Sequence, residues 1–227
     1  MNSTENTLLR KMLGNKEYLT VFDVPKVEAF GNKFFHDTKR LYRAYETLIS
    51  GDVSEENKQT DDCILFEQKG NKNWILGVSD NDGIELPFLE MKDLLSSIMD
   101  IQEKILPLGT VIDLNKDFIT KNIPQIEALD HFRVVITHRF LSYLESVFYP
   151  YAGVLYPTGM LGRPEFIYFT YSMIEDVVQE GFSDVLEQEY VNAMKSELLA
   201  EKQMHSAGFA TEEEIDKLAR ILEGRNE

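Results

Sequence analysis

Apolar positions in this chain keep a helical period at both ends and a mixed one in the middle. Val27, Phe30, Phe34, Leu41, Tyr45 and Leu48 recur at helix-like intervals and predict a helix from about Pro25 to Ile49. Gly31 weakens that stretch locally. Before it, Leu8 to Leu13 predicts a short helical turn ending near Gly14-Asn15. After it, Ser50-Gly-Asp is a stop, and Asp52 to Asp62 is a charged connector without apolar periodicity. Cys63-Ile-Leu-Phe-Glu and Trp74-Ile-Leu-Gly-Val flank the turn Lys69-Gly-Asn-Lys-Asn and together predict a hairpin. Ser79-Asp-Asn-Asp-Gly83 is a further turn; Glu90 falls one position short of closing a calcium loop there. Ile84-Glu-Leu-Pro predicts a brief strand. Phe88 to about Ile105 predicts an amphipathic helix, with Met91, Leu94, Leu95, Ile98, Ile101 and Ile105 on its apolar face.

The period shortens past residue 105. Leu106-Pro-Leu-Gly-Thr-Val-Ile-Asp-Leu114 predicts a turn feeding a strand, and residues 115–131 read as an insertion in which Pro124 limits any helix. Phe132 to His138, Val154-Leu-Tyr and Phe166-Ile-Tyr-Phe are three more predicted strands. Ser172 to Gln179 is expected as a short helix capped near Gly181. From Asp184 to about Met204 the helical period returns, with Val185, Tyr190, Met194, Leu198 and Leu199 as its stripe. Ser206-Ala-Gly breaks it, and Thr211-Glu-Glu-Glu214 is a capping box for a last helix carrying Ile215, Leu218 and Leu222. The pattern predicts an α+β fold: an antiparallel sheet packed with helices and a C-terminal helical hairpin. Three regions follow: an N-terminal α+β region at 1–104, an α+β domain at 105–190 and a helical extension at 191–227.

Charge narrows the functional classes. The chain carries a formal net charge of −16 over 227 residues. Residues 1–50 hold eight Lys/Arg against six Asp/Glu, a net of +2, so the rest carries a net of −18. Such a surface repels phosphate backbones and disfavours nucleic acid. It either steers a basic protein partner or simply keeps the chain soluble. A single cysteine, Cys63, excludes an intramolecular disulfide and follows two aspartates that raise a thiol pKa; it reads as a buried structural thiol. The N-terminus lacks the features of a signal peptide, and no apolar run reaches membrane-spanning length, so a cytoplasmic location is expected.

The chemistry-bearing residues do not form a reactive set. His36, His131, His138 and His205 have no metal-ligand spacing, and no nucleophile elbow or phosphate-binding loop is present. Glu175-Asp176 and Glu212-Glu213-Glu214 are neighbours that diverge on a helix, whereas catalytic carboxylates face one another across a cleft. No enzymatic centre, cofactor or metal is therefore expected. The aromatic cluster is the remaining candidate. Tyr149, Tyr151, Tyr156, Tyr168 and Tyr171 fall on both strand parities, so they divide between a core and a protein-binding patch.

Five pieces in order carry a family resemblance: Leu106-Pro-Leu-Gly-Thr-Val, Arg133-Val-Val-Ile-Thr-His-Arg139, Tyr151-Ala-Gly-Val-Leu-Tyr-Pro-Thr-Gly159, Tyr168-Phe-Thr-Tyr-Ser-Met-Ile174 and Val177-Val-Gln-Glu-Gly-Phe182. Over about residues 105–190 the chain resembles the domain of unknown function four-one-seven-six family, departing from it at His138, Pro150 and Thr158. That family occurs in Gram-positive bacteria beside genes for LXG toxins and type VIIb secretion components. The resemblance implies an accessory protein, an adaptor or chaperone that binds an LXG toxin or its helical partners before export. An immunity protein that neutralises a toxin domain is the alternative. The resemblance brings no catalytic residue with it.

Overall fold

A computed structural model describes residues 3–33, 38–51, 68–69, 73–76, 83–116, 131–161 and 166–223. Cys63, His36, residues 117–130 of the insertion expected at 115–131 and most of the turn at 79–83 lie outside the described residues. The fold is α+β, and the chain divides into two compact units. One comprises residues 1–103 with 195–203, the other residues 104–194 with 204–227. Residues 191–227 are thus shared between both units.

The first unit holds α1 (Ser3–Gly14), α2 (Asp23–Lys33), α3 (Thr38–Ser50), α4 (Phe88–Gln102) and a small antiparallel sheet of β1 (Gln68–Lys69), β2 (Asn73–Leu76) and β3 (Ile84–Pro87), in that order. The helix expected over 25–49 corresponds to α2 and α3, with Phe34 outside the described residues; Val27, Phe30, Leu41 and Leu48 are buried as the spacing requires. Gly31 has a packing reason. A Cβ there would lie 3.0 Å from Leu9 Cδ2, and Gln102 Nε2 donates to the Gly31 carbonyl at 3.0 Å. Of the predicted hairpin, the pairing of Lys69 with Asn73 is described, whereas the strand expected at 63–67 and residues 70–72 lie outside the described residues. On α4 the stripe Met91, Leu94, Leu95, Ile98 and Ile101 is buried, and the helix stops at Gln102, where Glu103 turns extended.

Lys195 closes that end of α4. Its Nζ donates to the carbonyls of Ile101 at 2.7 Å and Glu103 at 2.6 Å, two acceptors that the helix end leaves open. Burial lowers the Lys195 pKa, against the opposing pull of Asp100 and Glu103. Burial likewise raises the Glu103 carboxyl. The group is a helix terminus satisfied by a buried cation.

The second unit is built on a six-stranded sheet ordered β7-β6-β5-β4-β8, from β4 (Val111–Leu114), β5 (Arg133–Ser142), β6 (Val147–Leu155), β7 (Ile167–Phe169) and β8 (Ile174–Gln179). These pairings are antiparallel; β9 (His205–Ser206) adds parallel to the start of β6. α5 (Val185–Lys195) runs on into a π-helical turn at Ser196–Glu201, and α6 (Glu212–Glu223) is the last described helix. Between the two C-terminal helices stand β9 and a 3-10 turn at Ala207–Phe209.

The helix expected over 172–179 is a correction. After a 3-10 turn at Tyr171–Met173 the segment is β8, an edge strand. Ile174, Val177 and Val178 favour extended backbone, and β4 offers a ladder, which outweighs the weak helical spacing. Two register shifts and the exposed Glu175 and Asp176 blunt this edge against further pairing. Gly181 is a close-approach glycine where a helix cap was expected: a Cβ would sit 2.2 Å from the Leu108 carbonyl oxygen.

The capping box at the last helix is present in full. Thr211 N–H donates to Glu214 Oε2 at 2.9 Å, and Glu214 N–H donates to Thr211 Oγ1 at 3.3 Å. Ser146 Oγ donates to the other carboxylate oxygen at 2.6 Å, and His205 Nε2 lies 3.4 Å away. Burial raises the Glu214 pKa, but the hydrogen bonds from Ser146 and Thr211, with His205 nearby, bring it down to about 2. A depressed carboxyl stabilises the fold above its unfolded pKa and loses that contribution as pH falls through the folded one. Acid unfolding of Glu214→Gln should therefore lack a component that the parent shows between its ordinary value and about 2. At neutral pH the same variant should cost about 1–2 kcal/mol in urea titration.

Candidate functional site

A concavity lies in the second unit, beside the first turns of α5. It has a volume of about 600 Å³ and is lined by Leu108, Thr137, His138, Arg139, Phe182, Asp184, Leu186, Glu187 and Tyr190. Three sequence devices place these side chains. A bulge at Thr137 interrupts the β5–β6 ladder between Ile136↔Gly153 and His138↔Ala152. Phe132, Val134 and Ile136 before it are buried, whereas His138 beyond it is exposed. Next, Phe140 adopts φ 55°, a left-handed conformation costing an aromatic residue about 1–2 kcal/mol. Its ring is held there against Phe148 at 6.3 Å and Tyr190 at 6.2 Å. Finally, Asp184 caps α5, its Oδ1 accepting the Glu187 N–H at 2.9 Å.

Arg139 joins the strand to the helix. Its side chain is only 3% exposed, and its guanidinium grips Glu187 through two parallel contacts, Nη1 to Oε1 and Nη2 to Oε2, the latter at 3.1 Å. Nη1 also donates to the Leu106 carbonyl at 3.3 Å, and the cation lies 5.5 Å from the Tyr190 ring centroid. Such a bidentate, mostly desolvated pair fixes geometry more than it adds stability. Above it, the surface is apolar. Phe182 is 83% exposed, Leu186 73% and Val185 71%, and Leu108 and Tyr190 are about half exposed.

The backbone that presents this patch is tied by hydrogen bonds. Gly181 N–H donates to Thr110 Oγ1 at 3.0 Å, and Gly181 lies tight against Leu108. With the Asp184 cap and the Arg139–Glu187 pair, segment 181–187 is anchored at both ends. His138 packs its ring edge on Phe166 at 4.7 Å and shares a hydrogen bond with Thr137 Oγ1 at 3.0 Å. The groove's charged and polar groups are largely engaged with each other, and its accessible chemistry is apolar, with Asp184 as the acid not paired to Arg139.

The tyrosines expected to bind a partner separate into two sets. Tyr151 and Tyr171 are corrections, because both are buried. Tyr151 is fully enclosed: its hydroxyl accepts the Leu106 N–H at 2.9 Å and donates to the Lys104 carbonyl at 3.3 Å, and its ring stacks on Phe169 at 5.3 Å. Tyr171 meets it edge-on at 5.6 Å. These residues cross-link the sheet to the 104–106 segment, and neither is available to another molecule. Tyr149 and Tyr168 are half-buried with centroids 5.3 Å apart, and Tyr168 shares a hydroxyl hydrogen bond with Tyr143 at 3.1 Å. Tyr156 is exposed. None of the five lines the groove.

Of the stripe expected over 184–204 only Tyr190 lines the groove, so helical period alone does not find the groove residues. One signal pointed to them: Phe182-Ser-Asp-Val-Leu-Glu187 places three large apolar residues around one capped helix start, more than a single buried stripe can hold. Of the histidines, His131 stands 3.3 Å from Asp113, which Arg133 also holds at 2.9 Å. Among the described residues no group of three or more His, Cys, Asp or Glu is placed to hold a metal ion, and no helix is long and apolar enough to cross a membrane. No curated protein and no solved structure matches the chain. Residues 105–190, the segment that carries β4 to β8 and the walls of the groove, match the family model of the Domain of unknown function (DUF4176).

Proposed function

We propose that this chain is a non-enzymatic protein-binding adaptor, acting in the cytoplasm on a secreted toxin of the LXG type before its export. The observation that carries the reading is the apolar surface at Phe182, Val185 and Leu186, held on an anchored backbone inside the family-matched segment. Exposed apolar residues on a rigid frame cost solubility and lose little entropy on binding, as interface anchors do. The groove's one arginine is committed to Glu187 and its one histidine to Thr137 and Phe166, an arrangement suited to shaping a surface. The excess of acidic charge supports a protein partner with basic character and disfavours nucleic acid.

The toxin class comes from the gene neighbourhood of the resembling family, and direct binding tests it. Co-expressed with an LXG toxin from the same genome, the full chain should co-purify with the toxin's N-terminal helical region. Binding confined to the toxin's C-terminal domain, with protection of cells that express that domain alone, would replace the adaptor reading with an immunity one.

A further inference from the structure

We infer that the groove beside α5 receives a single amphipathic helix of a partner protein, apolar along one face and flanked by lysine or arginine. The inference rests on the adaptor reading and deepens it by stating where the partner sits and what it carries. Leu186 and Tyr190 are one helical turn apart on α5, so their side chains form a ridge along one face. Phe182 and Leu108 stand with them around the concavity. This is the surface that a helix with anchors at i, i+3 or i+4 and i+7 fills.

Charge selects among occupants. Between residues 166 and 194 there are six acidic residues (Glu175, Asp176, Glu180, Asp184, Glu187 and Glu189) and not one lysine or arginine. The cation that does line the groove, Arg139, is buried and neutralised by Glu187. Glu180 is likewise paired, with Lys104 at 2.6 Å, so Glu175, Asp176, Asp184 and Glu189 make up the segment's excess of negative charge, and Asp184 lines the apolar groove itself. A second copy of this chain would bring the same acidic segment, and like charges across an interface cost affinity. An anionic lipid surface is repelled for the same reason. Strand addition is blocked separately, because the neighbouring edge strand β8 is bulged twice and acidic. A basic amphipathic helix satisfies both the apolar walls and the acidic segment.

The test uses the full chain and two labelled synthetic peptides of about 18 residues, one a Leu/Lys amphipathic helix and the other its Leu/Glu counterpart. Fluorescence anisotropy should show the Leu/Lys peptide binding at least about tenfold more tightly, with the difference shrinking in high salt. The discriminating variant is Phe182→Asp with Leu186→Asp. Both positions are exposed, so folding, followed by circular dichroism, should be unchanged. The variant adds negative charge, so non-specific attraction to Leu/Lys would strengthen, whereas groove binding should weaken about a hundredfold. Ile215→Asp, an exposed apolar position on α6 outside the groove lining, should leave binding unchanged. Equal affinity for the two peptides, or unweakened binding by the double variant, overturns the inference. Should that variant still co-purify with the toxin's helical region, the adaptor reading stands and the groove is not its surface.

Discussion

Replacing Arg139 with methionine should lower the unfolding free energy of its unit by about 3 kcal/mol, the scale for removing one partner of a buried ion pair. The guanidinium is almost fully enclosed and makes three polar contacts, two to Glu187 and one to the Leu106 carbonyl. Methionine fills much of the same volume, so the loss comes from the stranded groups: Glu187 keeps its charge in a site only 19% exposed, and the Leu106 carbonyl loses a donor. The double variant Arg139→Met with Glu187→Leu should be less destabilised than Arg139→Met alone, because it strands no charge. Urea titration of the three proteins checks the order. A second consequence is functional. Since Glu187 ties the first turn of α5 to β5, the single variant should also loosen the segment that presents Leu186, and peptide affinity should fall with stability.

Gly153→Ala should be as damaging by a different route. Gly153 lies in β6 opposite Ile136, beside the point where the β5–β6 ladder slips. A Cβ added there would stand 2.3 Å from the Val135 carbonyl oxygen and 2.5 Å from Val134 Cγ1. The first of these is backbone in the central strand pair, so no side-chain rotation relieves it. The expected cost is about 3 kcal/mol, the upper range for overpacking, or roughly 6–12 °C in Tm for a chain of this size. Gly14→Ala is the control, since nothing lies within 4 Å of the added methyl. A Gly153→Ala protein as stable as its parent would mean that the two strands do not approach as described.

Strong local signals were readable in the chain and weak ones were not. The stripe on α4, the Thr211–Glu214 box and the β-branched run of β5 each combine several cues that agree, and each appears where the spacing puts it. The helix expected over Ser172 to Gln179 is a strand because eight residues are too few for period alone to separate a helix from an edge strand. There the ladder to β4 decides, and β4 lies sixty residues earlier. The length of β6 was hidden by Pro150, which nonetheless sits buried within it. Tyr151 shows why residue type could not sort core from surface: its hydroxyl is satisfied internally by the 104–106 backbone, a contact between distant segments. The groove was the least readable feature, because it depends on the Thr137 bulge and on a pairing of Arg139 with Glu187 forty-eight positions later. Its raw material was visible only as an excess of apolar residues at one helix start.

Hydrogen exchange on the full chain, alone and bound to the helical region of an LXG toxin, tests the central proposal most directly. The account predicts new protection concentrated in residues 181–190, at the anchored apolar segment and the first turns of α5, with little change in the first unit. Protection confined to any other part of the chain would contradict it, as would a toxin helical region that forms no complex at all.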